Sequence, residues 1–229
     1  MGSDLLDYII HEARTPGSRV PPISELSETL GISPSKLREQ LEVARALEIV
    51  EVRPKTGIRT KEFSYLPPLR LSLRSALAQD PSRFEDIRLV RTTLEAAFWK
   101  EAIGLLQPTD LDLLEKLVAR AWEKLHGTPV QIPHNEHRDL HLTIFGRLPN
   151  QLVRALLEAY WEAYEAVGLS LYADYGYLHE VWTYHERMVE AIRRGDAEAG
   201  LQALVSHTGL LRTRPGTGRP PGNGKGEAE

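Results

Sequence analysis

Cysteine is absent from the 229-residue chain, which excludes a disulfide framework, thiol catalysis and any cysteine-built zinc finger. A metal site would have to use histidine and carboxylates, and the chain holds eight histidines. Also missing is any run approaching the roughly 20 uninterrupted apolar residues of a membrane span. The opening Met1-Gly2-Ser3-Asp4-Leu5-Leu6-Asp7 lacks the cationic then apolar order of a signal peptide, so a cytoplasmic protein with no membrane partner is expected. Neither sign of charge dominates: 28 Lys plus Arg stand against 32 Asp plus Glu, a net charge of -4. That balance argues against a surface given over wholly to nucleic acid, but not against a local basic patch. What is present suffices for a packed core, with 41% apolar and 26% charged residues, and the length suits two small domains.

The expected fold class is mainly α: an N-terminal winged helix-turn-helix of three helices plus a β-hairpin wing, then an all-α bundle of about six helices. Punctuation places the first domain at residues 1–62, a linker at 63–81, the helical domain at 82–212 and a disordered tail at 213–229, rich in Gly and Pro. Asp4 to Ala13 reads as a helix stopped by Pro16-Gly17. A second helix, Ile23 to Leu30, ends at Gly31, and a third opens at Ser33 with Pro34 in its first turn. Leu37, Leu41, Ala44 and Leu47 recur at helical spacing as one buried stripe. The period then changes, and Ile49 to Arg53 and Gly57 to Lys61 read as strands around Pro54-Lys55-Thr56-Gly57. The Pro67-Pro68 pair marks the linker, although Leu69 to Ala78 retains helical character. Beyond Ser82 only helical periodicity remains, broken at Gln107-Pro108, Gly127 to Pro133, Pro149-Asn150, near Gly176 and at Gly195-Asp196.

A tight turn between the second and third helices followed by a wing is the order of a winged helix-turn-helix, whose third helix reads DNA. The start of that helix carries Ser33, Ser35, Lys36 and Arg38, and the wing adds Arg53, Lys55 and Arg59. From Lys36 to Lys61 seven basic residues face four acidic ones. On charge alone, a small helical subdomain with solvated faces is the preferred reading. Order and spacing favour DNA: Pro16-Gly17 through Glu25-Leu26, Leu30-Gly31-Ile32-Ser33, Leu37-Arg38-Glu39 and Arg53-Pro54-Lys55-Thr56-Gly57 resemble the N-terminal domain of the GntR family of bacterial transcription regulators. The resemblance implies a double-stranded DNA operator as partner, with Arg38, Lys55, Thr56 and Gly57 at family contact positions. Ser24 and Pro34 stand where the family usually has arginines, which implies a different operator or weaker binding.

His137 and His141, four apart on a helix, share one face, a common metal-binding device that by itself is weak. His185 and His207 follow apolar periodicity on later helices, where a core histidine is the ordinary reading. The region from Phe84 to Leu211 resembles the effector domain of the FadR branch of these regulators, called FCD. That resemblance implies a metal held by an Asp and a His four apart, a His opening the penultimate helix and a His on the last, with a homodimer and a small carboxylate effector. In this chain His137 occupies the Asp position, so the implied ligands are His137, His141, His185 and His207, or the last three with His137 swung away. Imidazole suits zinc first, with nickel, iron or copper also accommodated. Arg88 and Arg91, in the stretch resembling that domain's opening helix, are candidates to bind an acidic effector as a fork, against an equally reasonable ion pair of Arg91 with Glu95. Tyr160, Trp161, Tyr164, Tyr172, Tyr175, Tyr177, Trp182 and Tyr184 are either pocket lining or core.

The resulting expectation is a ligand-responsive DNA-binding transcription regulator that is not an enzyme. The competing readings are a metal-dependent hydrolase, for which no nucleophile motif or HExxH is present, and a regulator whose metal is purely structural.

Overall fold

The computed structural model describes residues 4–13, 15–167 and 174–210. They fall into two compact units: residues up to 84 together with 149–167, and residues 85–148 together with those from 174. The proposed tail lies outside the described residues, as does Tyr172.

The first unit begins with α1 (Asp4–Glu12), α2 (Ile23–Leu30) and α3 (Pro34–Ala46). Gly31 ends α2 with φ of 68°, in the left-handed region that favours glycine. Ser33 Oγ accepts from Lys36 N–H at 3.3 Å and caps α3, whose first residue is Pro34. Leu37, Leu41 and Ala44 turn inward as their spacing predicts, while Leu47, half-buried, is the residue that closes the helix. They join Leu5, Ile9, Val20, Leu26, Val50 and Ile58 in one core.

The wing is β2 (Val50–Arg53) and β3 (Gly57–Thr60), antiparallel, with Val52 opposite Ile58 and Arg53 opposite Gly57. Lys55 and Gly57 both take positive φ, 68° and 76°, and a left-handed residue is what closes a three-residue hairpin loop. Sequence reasoning missed a third strand, β1 (Arg19–Val20), which pairs with β3 on its other edge. Two residues are too short for an alternation signal, and only the pairing reveals them.

The segment 63–81, read as a linker, is helical over α4 (Leu66–Gln79). Pro67 and Pro68 lie in its first turn, where a missing N–H costs nothing. Along α4 packs α8 (Gln151–Ala166), capped by Asn150, whose Oδ1 accepts from Val153 N–H at 3.1 Å. Arg70 of α4 makes a bidentate pair with Glu162 of α8, both contacts 2.6 Å, and approaches Glu48 at 3.7 Å.

The second unit holds α5 (Phe84–Gly104), α6 (Pro108–His126), α7 (His134–Phe145), α9 (Tyr175–Arg193) and α10 (Ala197–Leu210). With α8, these make six α-helices among the described residues after residue 82, where about six are expected. Gly195, at φ of 70°, turns the chain between α9 and α10, and Asp196 Oδ1 caps α10 by accepting from Ala199 N–H at 3.0 Å. No helix among the described residues is long and apolar enough to cross a membrane.

Candidate metal centre and DNA-reading helix

Three helices deliver four imidazoles to one point in the second unit. α7 supplies His137 and His141, one turn apart; α9 supplies His185 and α10 supplies His207. One ligand nitrogen from each lies within 4.8 Å of the others. His141 Nε2 is 3.1 Å from His185 Nε2, and His137 Nε2 is 3.4 Å from His207 Nε2. Nitrogens about 2.0–2.1 Å from one zinc ion are separated by roughly 3.0–3.4 Å between neighbouring positions, so these pairs have the spacing of a shared ion. His141, His185 and His207 are almost completely buried, and without an ion each pair can share a proton as an N–H···N hydrogen bond.

The backs of the rings support the same assignment. His185 Nδ1 is 2.8 Å from the Val181 carbonyl, which sets the proton on Nδ1 and leaves Nε2 as the ligand atom. His141 Nδ1 lies 3.1 Å from Glu95 Oε1. His207 Nδ1 is buried without a hydrogen-bond partner. Burial pushes His137, His185 and His207 well below the ordinary imidazole value, and neighbouring positive charges add to it. Burial also lowers His141, with Glu95 opposing and Arg91 adding. Neutral imidazole is the form that binds a metal. Trp182, buried, stands beside the cluster with its ring 4.8 Å from His185 and 6.3 Å from His137.

His185 differs in one respect from the expectation: α9 begins at Tyr175, so His185 sits mid-helix and does not open it. Glu136, the buried carboxylate next to His137, is taken up by Lys124 at 2.7 Å. Arg91 comes to the cluster. Its Nη2 is 3.0 Å from His141 Nδ1 and 3.1 Å from His141 Nε2, and its Nε is 2.8 Å from Glu95 Oε2. Arg88 is buried too, and its Nε donates to Glu85 Oε2 at 2.7 Å. The sequence offers Glu95 only as a partner for Arg91 four residues before it; its full burial and its approach to His141, 46 positions later, come from the structure. Of the aromatic run, Tyr160, Trp161 and Tyr164 are buried in the first unit, Trp182 is in the second, and Tyr175 is exposed.

In the first unit Ser35, Lys36 and Arg38 are exposed at the start of α3. Ser33 is exposed as well, though its hydroxyl is committed to the cap. Lys36 lies 3.8 Å from Asp4. On the wing Arg53 pairs with Glu51 at 2.9 Å, while Lys55, Thr56 and Gly57 form the exposed tip. Arg59 donates to the Gly17 carbonyl at 2.8 Å and braces the base of the wing.

The FCD domain family model matches residues 86–209. The Uxu operon transcriptional regulator of Escherichia coli is 25% identical over 221 residues, 93% of this chain and 84% of that one. The HTH-type transcriptional regulator LutR of Bacillus subtilis is 22% identical over 199 residues, covering 84% and 89%. Among solved structures, Streptococcus agalactiae GntR shares the fold with a TM-score of 0.63 at 22% identity, over 92% of this chain and 97% of that one. The chain belongs to the GntR family of transcription regulators, in the group that carries an FCD domain.

Proposed function

We propose that the protein is a homodimeric regulator in the cytoplasm whose FCD domain binds a divalent transition metal through His137, His141, His185 and His207 and senses a small carboxylate there. The observation that carries this reading is the convergence in the second unit of one ligand nitrogen from each of four histidines, three of them buried. Zinc fits the set best, and nickel and iron fit it next, because uncharged imidazoles select borderline ions over magnesium or calcium. A bound ion supplies a Lewis-acidic position for a carboxylate oxygen. The 3.0 Å approach of Arg91 to His141 supports a role for it in charge-assisted binding of that carboxylate, with Arg88 one turn earlier as the second candidate.

On DNA, Ser35, Lys36 and Arg38 reach the major groove from the first turn of α3, and Ser33 orients that turn. Arg53, Lys55, Thr56 and Gly57 bring the wing to the neighbouring backbone. Leu89 and Val90 lie about half exposed on α5, an apolar face suited to a second copy, and two reading heads match a two-fold operator.

Fluorescence anisotropy with DNA from upstream of the protein's own gene tests the reading. Tight, steeply salt-dependent binding to that duplex over a scrambled one is expected, and it should change when a carboxylic acid is added to metal-loaded protein. Equal weak binding to both duplexes, or an acid effect that persists after chelation, overturns it.

A further inference from the structure

We infer that Glu95 is a positioning residue for the metal centre: from one shell out it holds His141 as a ligand and supplies the negative charge that four imidazoles lack. The inference rests on the reading of the four histidines as a metal site.

Glu95 lies on α5, a helix that contributes no histidine to the cluster. Its side chain has no exposure, and its two oxygens face different partners: Oε2 is 2.8 Å from Arg91 Nε and Oε1 is 3.1 Å from His141 Nδ1. An ion pair on one side and an imidazole on the other offset the cost of burying that carboxylate.

The tautomer follows from geometry. Glu95 Oε1 can only accept, so it selects the form of His141 protonated at Nδ1 and lone-paired at Nε2. Arg91 Nη2 lies 3.0 and 3.1 Å from the two nitrogens of the same ring. The guanidinium therefore sets a positive charge against a ligand that must hold a cation, and the Glu95 carboxylate offsets it. His185 has a neutral acceptor behind it in the Val181 carbonyl, and His207 has none at Nδ1. The charged anchor belongs to His141.

The test compares wild type, Glu95→Gln and Glu95→Asp in the full-length chain, with zinc affinity read by competition against a chromophoric chelator. Ring N–H resonances of zinc-loaded, 15N-histidine-labelled protein are recorded in parallel. Gln keeps size and an acceptor oxygen but removes the charge, so its zinc affinity should fall about 10- to 100-fold, and the protected His141 Nδ1–H resonance should move upfield. Asp, charged but shorter, should fall between the two, and it carries the comparison if Gln does not fold. Zinc affinity within about twofold of wild type, or a His141 resonance that is unchanged in the variants, overturns the role of Glu95. Wild type that binds no zinc is a separate result, and overturns the metal reading itself.

Discussion

Gly200 of α10 lies so close to Trp99 of α5 that a Cβ at position 200 would stand 2.6 Å from the indole Cζ2. The indole is pinned from the other side of the turn, because Trp99 Nε1 donates to the Ala197 carbonyl at 2.8 Å. Trp99 has no exposure, so it has no room to retreat. His207 follows Gly200 by two helical turns on the same face, and α10 is thereby seated by a contact remote from the ligand it carries. Gly200→Ala should lower stability by about 1–3 kcal/mol through overpacking and weaken zinc binding as His207 shifts. Thermal melts and chelator competition check both. An unchanged melt would mean that Trp99 yields easily.

His137→Asp should change which metals the protein retains. An oxygen donor in place of an imidazole admits harder ions such as manganese beside zinc and nickel. Elemental analysis after loading from an equimolar mixture reads the change. Identical metal content and identity would remove His137 from the shell.

Arg38→Ala should cost operator affinity by about 1–3 kcal/mol if the guanidinium reads a base, with relaxed preference at one operator position. Lys55→Ala should weaken all duplexes alike and reduce the salt slope by about one. Anisotropy titrations at several salt concentrations separate the two. Unaltered binding by Arg38→Ala would take Arg38 off the contact surface.

Metal-free protein should lose stability as acid is added. Burial holds His137, His185 and His207 well below 6.5 and His141 below it. Between those lowered values and 6.5 the unfolded chain binds more protons than the folded one, so stability is full above about pH 6.5 and declines beneath it. Urea midpoints of chelated protein should therefore fall from about pH 7.5 to about pH 5.5, and His207→Gln should flatten the dependence. A midpoint that rises on acidification would contradict the burial of these rings as neutral bases.

Much of the site was legible in the chain because its signals are local. The helical stripe of Leu37, Leu41 and Ala44, the Ser33 cap, the Pro54 to Gly57 turn and the four-residue spacing of His137 and His141 all act within a few residues. The match to a known family order then joined His185 and His207 to that pair. What stayed hidden depends on distance in the chain. β1 exists only because β3 is there to pair with it, and α4 starts at two prolines that read as a stop unless they fall in a first turn.

By itself the sequence determined a winged helix-turn-helix followed by helices, and the residue types that can hold a metal without cysteine. Only the tertiary structure decided that ligand nitrogens of four rings from three helices come within 4.8 Å of one another, that Arg91 touches His141, and that Glu95 stands beside it. The reason is physical. Periodicity and capping are set by neighbours along the chain, whereas the burial of Glu95 and the choice of tautomer at His141 are set by packing between helices that the chain brings together from 46 residues apart.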